Sequence, residues 1–324
     1  MRPWLRWTLL VAIVAAVVGG MTLTATALTP ATRTIDVLVV PHPDDEFQTW
    51  SLVEGRSHEY KVFAVMTHGE ETGYCDEDLL DAALQAEQGE IVPSPAPAGR
   101  WSAECEAARQ AAFLGFLSQM SESDPTIPGD FAPAAQVHGP VESDGTPICR
   151  VDDGTTRCDD AVRQVDVWLD ARDRGAVVFF DLGDGDAALD EIAWALRSLV
   201  AHGTEWGLPD APIGPMIGAF ANDGRPCHSY PHPDHVAVHM ALWHVDFGVG
   251  PQLGATCFLD SRQRMSAVVS PAGLDAAFAL AGDGTRIGAH GRHYGWLHNE
   301  VYPLAPSGQS ELFMPFQSFW IRFN

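Results

Sequence analysis

Residues Ile35-Asp36-Val37-Leu38-Val39-Val40 are almost continuously apolar and rich in β-branched side chains. A run this short, with apolar residues at successive positions, suits a strand buried on both faces, as in a parallel sheet. Two more runs have the same character, Tyr60–Met66 and Gly175–Leu182, and Pro215–Phe220 is a weaker fourth. Helical segments separate them. Glu46–Val53 follows two aspartates able to cap free N–H groups. Trp101–Leu117 has Trp101, Cys105, Ala108, Ala112 and Phe116 at helical spacing. Leu189–Val200 is amphipathic, and Val236–Val245 follows the fourth strand. Strands alternating with helices predict an α/β domain with a mainly parallel sheet and helices on both faces. Two stretches interrupt the alternation. Residues 76–100 are acidic and then Pro/Ala-rich, and residues 121–160 are rich in Ser, Asp, Pro and Gly. Both read as long surface insertions. From Gly282 onward no clear strand or helix pattern emerges.

Each predicted strand runs into polar residues, and the carboxyl edge of an open α/β sheet is where ligands bind. After the first strand comes Pro41-His42-Pro43-Asp44-Asp45-Glu46, and after the fourth comes His232-Pro233-Asp234-His235, with His239 four residues on. A catalytic zinc takes three His, Asp or Glu ligands and keeps one position for water. A nearby carboxylate can then take the water's proton, and an imidazole can serve the leaving group. The first cluster offers His42 and one aspartate as ligands and the other aspartate as base. The second offers one histidine as third ligand and another for acid or electrostatic work. Spacing does not say which member of each pair does which. His239, one helical turn beyond His235, is a rival ligand. His290, His293 and His298 read as loop residues.

The 324-residue chain carries 43 acidic and 19 basic residues, a formal charge of -24, and Lys61 is its single lysine. Such a surface repels phosphate backbones and argues against nucleic acid as a partner. Arg2 and Arg6 precede the uncharged stretch Trp7–Ala27, which ends in Ala25-Thr26-Ala27, a small-x-small site suited to signal peptidase. The stretch is also as long as a membrane-spanning helix of about 20 residues. Residues 1–27 therefore read as a signal peptide or an N-terminal membrane anchor. Residues 34–324 read as the folded domain, secreted or held outside the cytoplasm. The six cysteines agree with an oxidising compartment, and no Cys-x-x-Cys spacing occurs. Cys149 and Cys158 flank a turn-like Asp153-Gly154, which predicts a disulfide-closed hairpin. Cys75–Cys105 and Cys227–Cys257 would then follow.

A strand leading into His-Pro-Asp-Asp-Glu, followed far downstream by His-Pro-Asp-His, resembles the PIG-L/LmbE-like zinc deacetylases over about residues 36–245. That family includes the enzymes that de-N-acetylate GlcNAc-phosphatidylinositol and the GlcNAc-inositol precursor of mycothiol. The resemblance implies a Rossmann-like fold and one zinc ion per chain, with another divalent metal as a substitute. It implies His42, Asp45 and His235 as ligands and Asp44 as general base for the attacking water. His232 would stabilise the tetrahedral intermediate or protonate the amine, with Asp234 orienting it. Tyr230, two residues before His232, would polarise the amide carbonyl. Arg100 stands near the family's Arg-x-x-Glu, with one extra residue before Glu104. Glu70 and His68 lie where the family has a Gly-Glu loop. These three are the candidate substrate contacts. The expected activity is removal of an N-acetyl or other N-acyl group from an amino sugar or glycoconjugate. An N-acyl lipid, an antibiotic glycoside, or sugar binding without turnover are the alternatives. Export favours an extracellular glycan over cytosolic precursors.

Overall fold

A computed structural model describes residues 33–72, 75, 99–141, 148–152, 155–159, 163–221, 231–257, 265–277 and 316–323, with residues 133–141, 148–152, 155–159, 163–164 and 265 described in backbone only. Apart from Arg33, they belong to one unit, Thr34–Asn324. Three segments are strands along their whole predicted length: β1 (Thr34–Val40), β2 (Glu59–Thr67) and β7 (Gly175–Leu182). Together with β8 (Ile213–Gly218) and β9 (Gln252–Thr256) they make a parallel centre in the order β9-β8-β1-β2-β7. Antiparallel strands extend both sides. β6 (Arg163–Asp170) and then β3 (Phe131–Val141) follow β7, while β11 (Phe316–Arg322) and then β10 (Met265–Val268) follow β9. The result is a mixed nine-stranded sheet in an α/β fold. A separate hairpin pairs β4 (Ile148–Asp152) with β5 (Thr155–Asp159).

Successive side chains of a strand point to opposite faces, so continuous apolar runs must feed two cores. They do. Val37 and Val39 pack in one cluster with Ile192, Leu196 and Leu199 of α2 (Leu189–His202) and with Val238 and Leu242 of α3 (Pro233–His244). Leu38 and Val40 pack in the other. Their partners there are Phe47 and Trp50 of a 3-10 helix (Glu46–Leu52), Phe113, Phe116 and Leu117 of α1 (Ala103–Ser123), and Ala277 of α4 (Pro271–Ala277). Each large apolar side chain buried this way contributes roughly 1.5–3 kcal/mol.

The strand order positions the site. From β1 the chain leaves through the 3-10 helix on one face. From β8, the parallel neighbour on the other side of β1, it leaves towards α3 on the opposite face. Connections that diverge in this way open a crevice between the carboxyl ends of β1 and β8, the usual ligand position in open α/β sheets.

Several boundaries differ from the sequence reading. Trp101 adopts φ 54, so α1 begins after it, where Ser102 caps the helix by accepting from Cys105 N at 3.0 Å. Its buried stripe is Cys105, Arg109, Phe113, Phe116, Leu117 and Met120, which places an arginine where only apolar residues and cysteine were expected. Within the expected insertion 121–160, Phe131–Val141 is instead an edge strand of the main sheet. α3 starts at Pro233, as suits a proline whose missing N–H has no partner in the first turn. Cys75 and Cys105 form a disulfide with a Cα separation of 5.7 Å. Cys149 stands opposite Cys158 in the hairpin register. Cys257 is disulfide-bonded, and Cys227 lies outside the described residues. Among the described residues no helix is long and apolar enough to cross a membrane. Residues 7–27 and 76–98, Tyr230, His290, His293 and His298 also lie outside them.

At the amino ends of β1 and β2 two ionisable side chains are buried. Lys61 donates to Arg56 O and to Thr126 O, and burial pushes its ammonium down to about 8. Burial, aided by the negative charge of Glu59, pushes the Asp36 carboxyl up to about 6. A raised carboxyl pKa favours the fold while the group is protonated. That contribution is complete below the unfolded value near 3.8 and lost as pH rises through about 6. Asp36→Asn should therefore stabilise more at pH 8 than at pH 4.5 in urea unfolding, by roughly 1–3 kcal/mol. Equal effects at both pH values would contradict this assignment.

Candidate metal centre

The turn after β1 is built by two prolines that fix φ and offer no N–H. Asp44 N and Asp45 N both bond back to His42 O, at 2.8 and 3.3 Å. Asp45 occupies the N-cap position of the 3-10 helix, but its carboxylate caps none of the helix N–H groups. It turns inward instead. Oδ2 accepts from His42 N at 3.1 Å and lies 3.0 Å from both His42 Nδ1 and His235 Nε2. Oδ1 accepts from Gln48 Nε2 at 2.6 Å. The Gln48 carbonyl in turn accepts from Phe220 N at 2.7 Å, so one amide ties the connection after β1 to the segment after β8.

The two imidazoles are oriented from behind. His235 Nδ1 faces Phe220 O at 2.6 Å, and a carbonyl can only accept, so the ring proton sits on Nδ1. His42 Nε2 faces Asp234 Oδ2 at 2.9 Å and Asp184 Oδ1 at 3.1 Å, which favours a proton there. With these tautomers His235 Nε2 and His42 Nδ1 both present lone pairs towards Asp45 Oδ2. With both rings neutral, these acceptors have no hydrogen between them, which is the donor arrangement of a cation site. Neighbouring ligand atoms around a tetrahedral zinc stand roughly 3.3 Å apart, close to the 3.0 Å separations here. These two separations suit a shared metal ion, and His42 also falls into groups with His232 and His235, with Asp44 and Asp45, and with Asp184 and Asp234 whose donor atoms lie within 4.8 Å of one another.

Without a metal, positive charge on the rings takes the place of a cation beside the buried carboxylates. Asp45, Asp184 and Asp234 are all buried, and so are His42 and His235. Burial alone would raise the Asp45 carboxyl; the charges and hydrogen bonds of His235 and His42 outweigh it and hold the group far below the usual carboxylate range. Asp184 is likewise held low, against burial, by His42 and by Glu71 N. Burial would lower His42, but hydrogen bonds to Asp184, Asp234 and Asp45 raise it well above the ordinary imidazole value. His232 moves the opposite way, lowered by burial and then by the charge on His42. Its ring centroid lies 4.6 Å from that of His42 and 5.5 Å from that of His235.

Asp44 stands beside this group, with an oxygen within 4.8 Å of donor atoms of His42 and Asp45. It is partly open to solvent, and its Oδ2 pairs with Arg109 Nη1 at 3.3 Å. Asp234 was expected to orient His232; its two oxygens hold His42 Nε2 and accept from Gly185 N and Ala187 N. His239 is excluded as a ligand by its own bonds: Nε2 donates to Ala219 O at 2.7 Å and Nδ1 accepts from Trp320 Nε1 at 3.1 Å. Burial lowers it to about 4, so it stays neutral.

The three candidate substrate residues sit elsewhere along the same edge. Arg100 donates to Glu71 O at 2.5 Å, pairs with the Glu71 carboxylate at 3.6 Å and lies over the Trp101 ring. Glu70 is buried, its carbonyl accepting from Trp101 N. His68 joins a second group with Asp181 at 3.5 Å and Glu106 at 3.9 Å. Sequence reasoning missed Asp184 and Arg109. Asp184 carries the signal that flagged the first cluster, an acid just past the end of a central strand. Arg109 is a charge on a buried helical stripe.

Comparison with known protein families, with curated proteins and with solved structures finds no match to this chain.

Gly69 makes room for the arginine that meets Asp44. At φ +68, a Cβ there would lie 2.4 Å from Arg109 Nη2. Gly55 has nearly the same φ, +69, and nothing within 4 Å of its would-be Cβ. Gly55→Ala should thus cost only the left-handed strain, about 1–2 kcal/mol. Gly69→Ala should cost measurably more in denaturant unfolding and displace the guanidinium. Equal losses would show that Arg109 is not packed against Gly69.

Proposed function

We propose that this chain is a zinc-dependent N-deacylase of the kind its sequence resembles, acting on an N-acetylated amino sugar or glycoconjugate outside the cytoplasm. The observation that carries the reading is the convergence of His42 Nδ1, His235 Nε2 and Asp45 Oδ2, each oriented from behind by a separate hydrogen bond. The Rossmann-like arrangement and the domain at residues 34–324 belong to the same proposal. They are supported by the five parallel central strands and by the crevice between β1 and β8.

His42, Asp45 and His235 hold the metal. Zinc supplies Lewis-acid activation of a water and of the acyl carbonyl at neutral pH. Asp44 takes the proton of the attacking water, and Arg109 keeps that carboxylate turned to one side of the site. His232 supplies an N–H to the oxygen anion that develops as the carbonyl becomes tetrahedral. The proton gained by Asp44 is then available to the departing amine, whose C–N bond breaks as the carbonyl re-forms. The acidic surface, formally -24, suits a neutral or cationic glycan better than a phosphorylated one. Tyr230 and the contacts of Arg100, Glu70 and His68 with substrate stay within this proposal.

The test is metal analysis of the purified chain together with amine release from a panel of N-acetyl sugars. Bound zinc with release supports the reading, and sugar binding without release makes the chain a binding module. Asp44→Asn should keep its zinc and lose about 10²–10⁴-fold in turnover, the usual contribution of a general base. Unchanged turnover would remove Asp44 from the role.

A further inference from the structure

The zinc reading uses Asp234 to orient His42 from its Nε2 side and gives no task to Asp184, the second carboxylate there. We propose that Asp184 is a positioning residue: with Asp234 it brackets His42 Nε2, holds the ring in the Nε2–H tautomer that presents Nδ1 for metal, and couples this ligand to the Glu70–Glu71 loop. The proposal deepens the zinc reading and rests on it.

The geometry is specific. A single ring N–H faces Asp234 Oδ2 at 2.9 Å and Asp184 Oδ1 at 3.1 Å. Each carboxylate is itself fixed. Asp234 accepts from Gly185 N at 2.8 Å and Ala187 N at 2.9 Å. Asp184 accepts from Glu71 N at 2.6 Å through Oδ2, while Oδ1 lies 3.4 Å from the hydroxyl of Thr67 at the end of β2. The connection after β7 therefore supplies one carboxylate directly and orders the other through its backbone. An imidazole bracketed from two directions can neither flip nor swing without breaking bonds at both. Outer-shell carboxylates that hold a ligand histidine raise its basicity and typically account for 10–100-fold in metal affinity.

Asp184 also lies between two parts of the site that are separate in sequence. Its Oδ2 holds the backbone of Glu71, whose carbonyl receives the Arg100 guanidinium at 2.5 Å. Displacement of the candidate substrate loop is thus transmitted to His42 through one carboxylate. Asp234 serves the ring from the α3 side.

The experiment has two arms. In the first, zinc affinity is measured by competition with a chromophoric chelator for the wild-type chain, Asp184→Asn, Asp184→Ser and the exposed control Asp190→Asn. Both Asp184 variants should bind zinc 10–100-fold more weakly, the control should match wild type, and the melting temperatures of the zinc-free proteins should be alike. A lower melting temperature with unchanged zinc affinity would reduce Asp184 to a structural residue and overturn the proposal. In the second arm, nitrogen NMR of ¹⁵N-histidine-labelled, zinc-loaded protein reads which His42 nitrogen carries the proton. Wild type should show Nε2–H, and Asp184→Asn should shift population to Nδ1–H; the same tautomer in both would overturn the proposal. Wild-type protein that binds no zinc would refute the metal reading, whereas tight zinc binding by both wild type and variants would refute only the role of Asp184.

Discussion

One carboxylate oxygen organises this site. Asp45 Oδ2 lies 3.0 Å from an imidazole on its own turn and 3.0 Å from another on α3. Left without a proton or a cation among them, these lone pairs would repel one another inside a buried pocket. The fold nevertheless forces them together. β1 and β8 are parallel neighbours whose connections depart on opposite faces, so the residues that follow each strand flank the same crevice. Gln48 fastens the two sides by bonding Asp45 with one end of its amide and Phe220 N with the other.

The polar groups around that oxygen form a graded arrangement. Buried carboxylates and backbone carbonyls set the ring orientations from outside, and the half-open Asp44 faces the solvent side beside Arg109. Such division is chemically useful. Groups that fix geometry belong in the dry interior, where their bonds are strong and cannot be replaced by water. A group that must exchange a proton with an attacking water needs access. His239 shows the contrast within one helix: a single turn beyond His235, it has both nitrogens engaged by Ala219 O and Trp320 and is excluded from the centre.

The central strands and the main site residues were legible in the sequence for related reasons. β1, β2 and β7 are buried on both faces, and only near-continuous apolar runs can satisfy that, so their extents match closely. The His-Pro-Asp-Asp-Glu and His-Pro-Asp-His stretches stand out because polar residues directly follow or closely trail such strands. The sheet edges were not legible. β3 carries Pro133, Gln136 and Gly139, and β11 mixes Gln317 and Ser318 with aromatics; an antiparallel edge needs no continuous apolar signal, so both segments read as irregular chain. Asp184, a lone acid between two glycines, has the sequence pattern of a turn residue. Arg109 is hidden because Ala108 and Ala112 offer an equally regular apolar stripe along α1. Its partner, Asp44, lies 65 positions away, beyond any helical pattern.

The most direct test of the central claim is anomalous diffraction at the zinc edge from crystals of the zinc-loaded chain. The account predicts one strong peak with His42 Nδ1, an Asp45 oxygen and His235 Nε2 all about 2.0–2.2 Å away. No peak at that position, or a peak on the Nε2 side of His42 between Asp184 and Asp234, would contradict it.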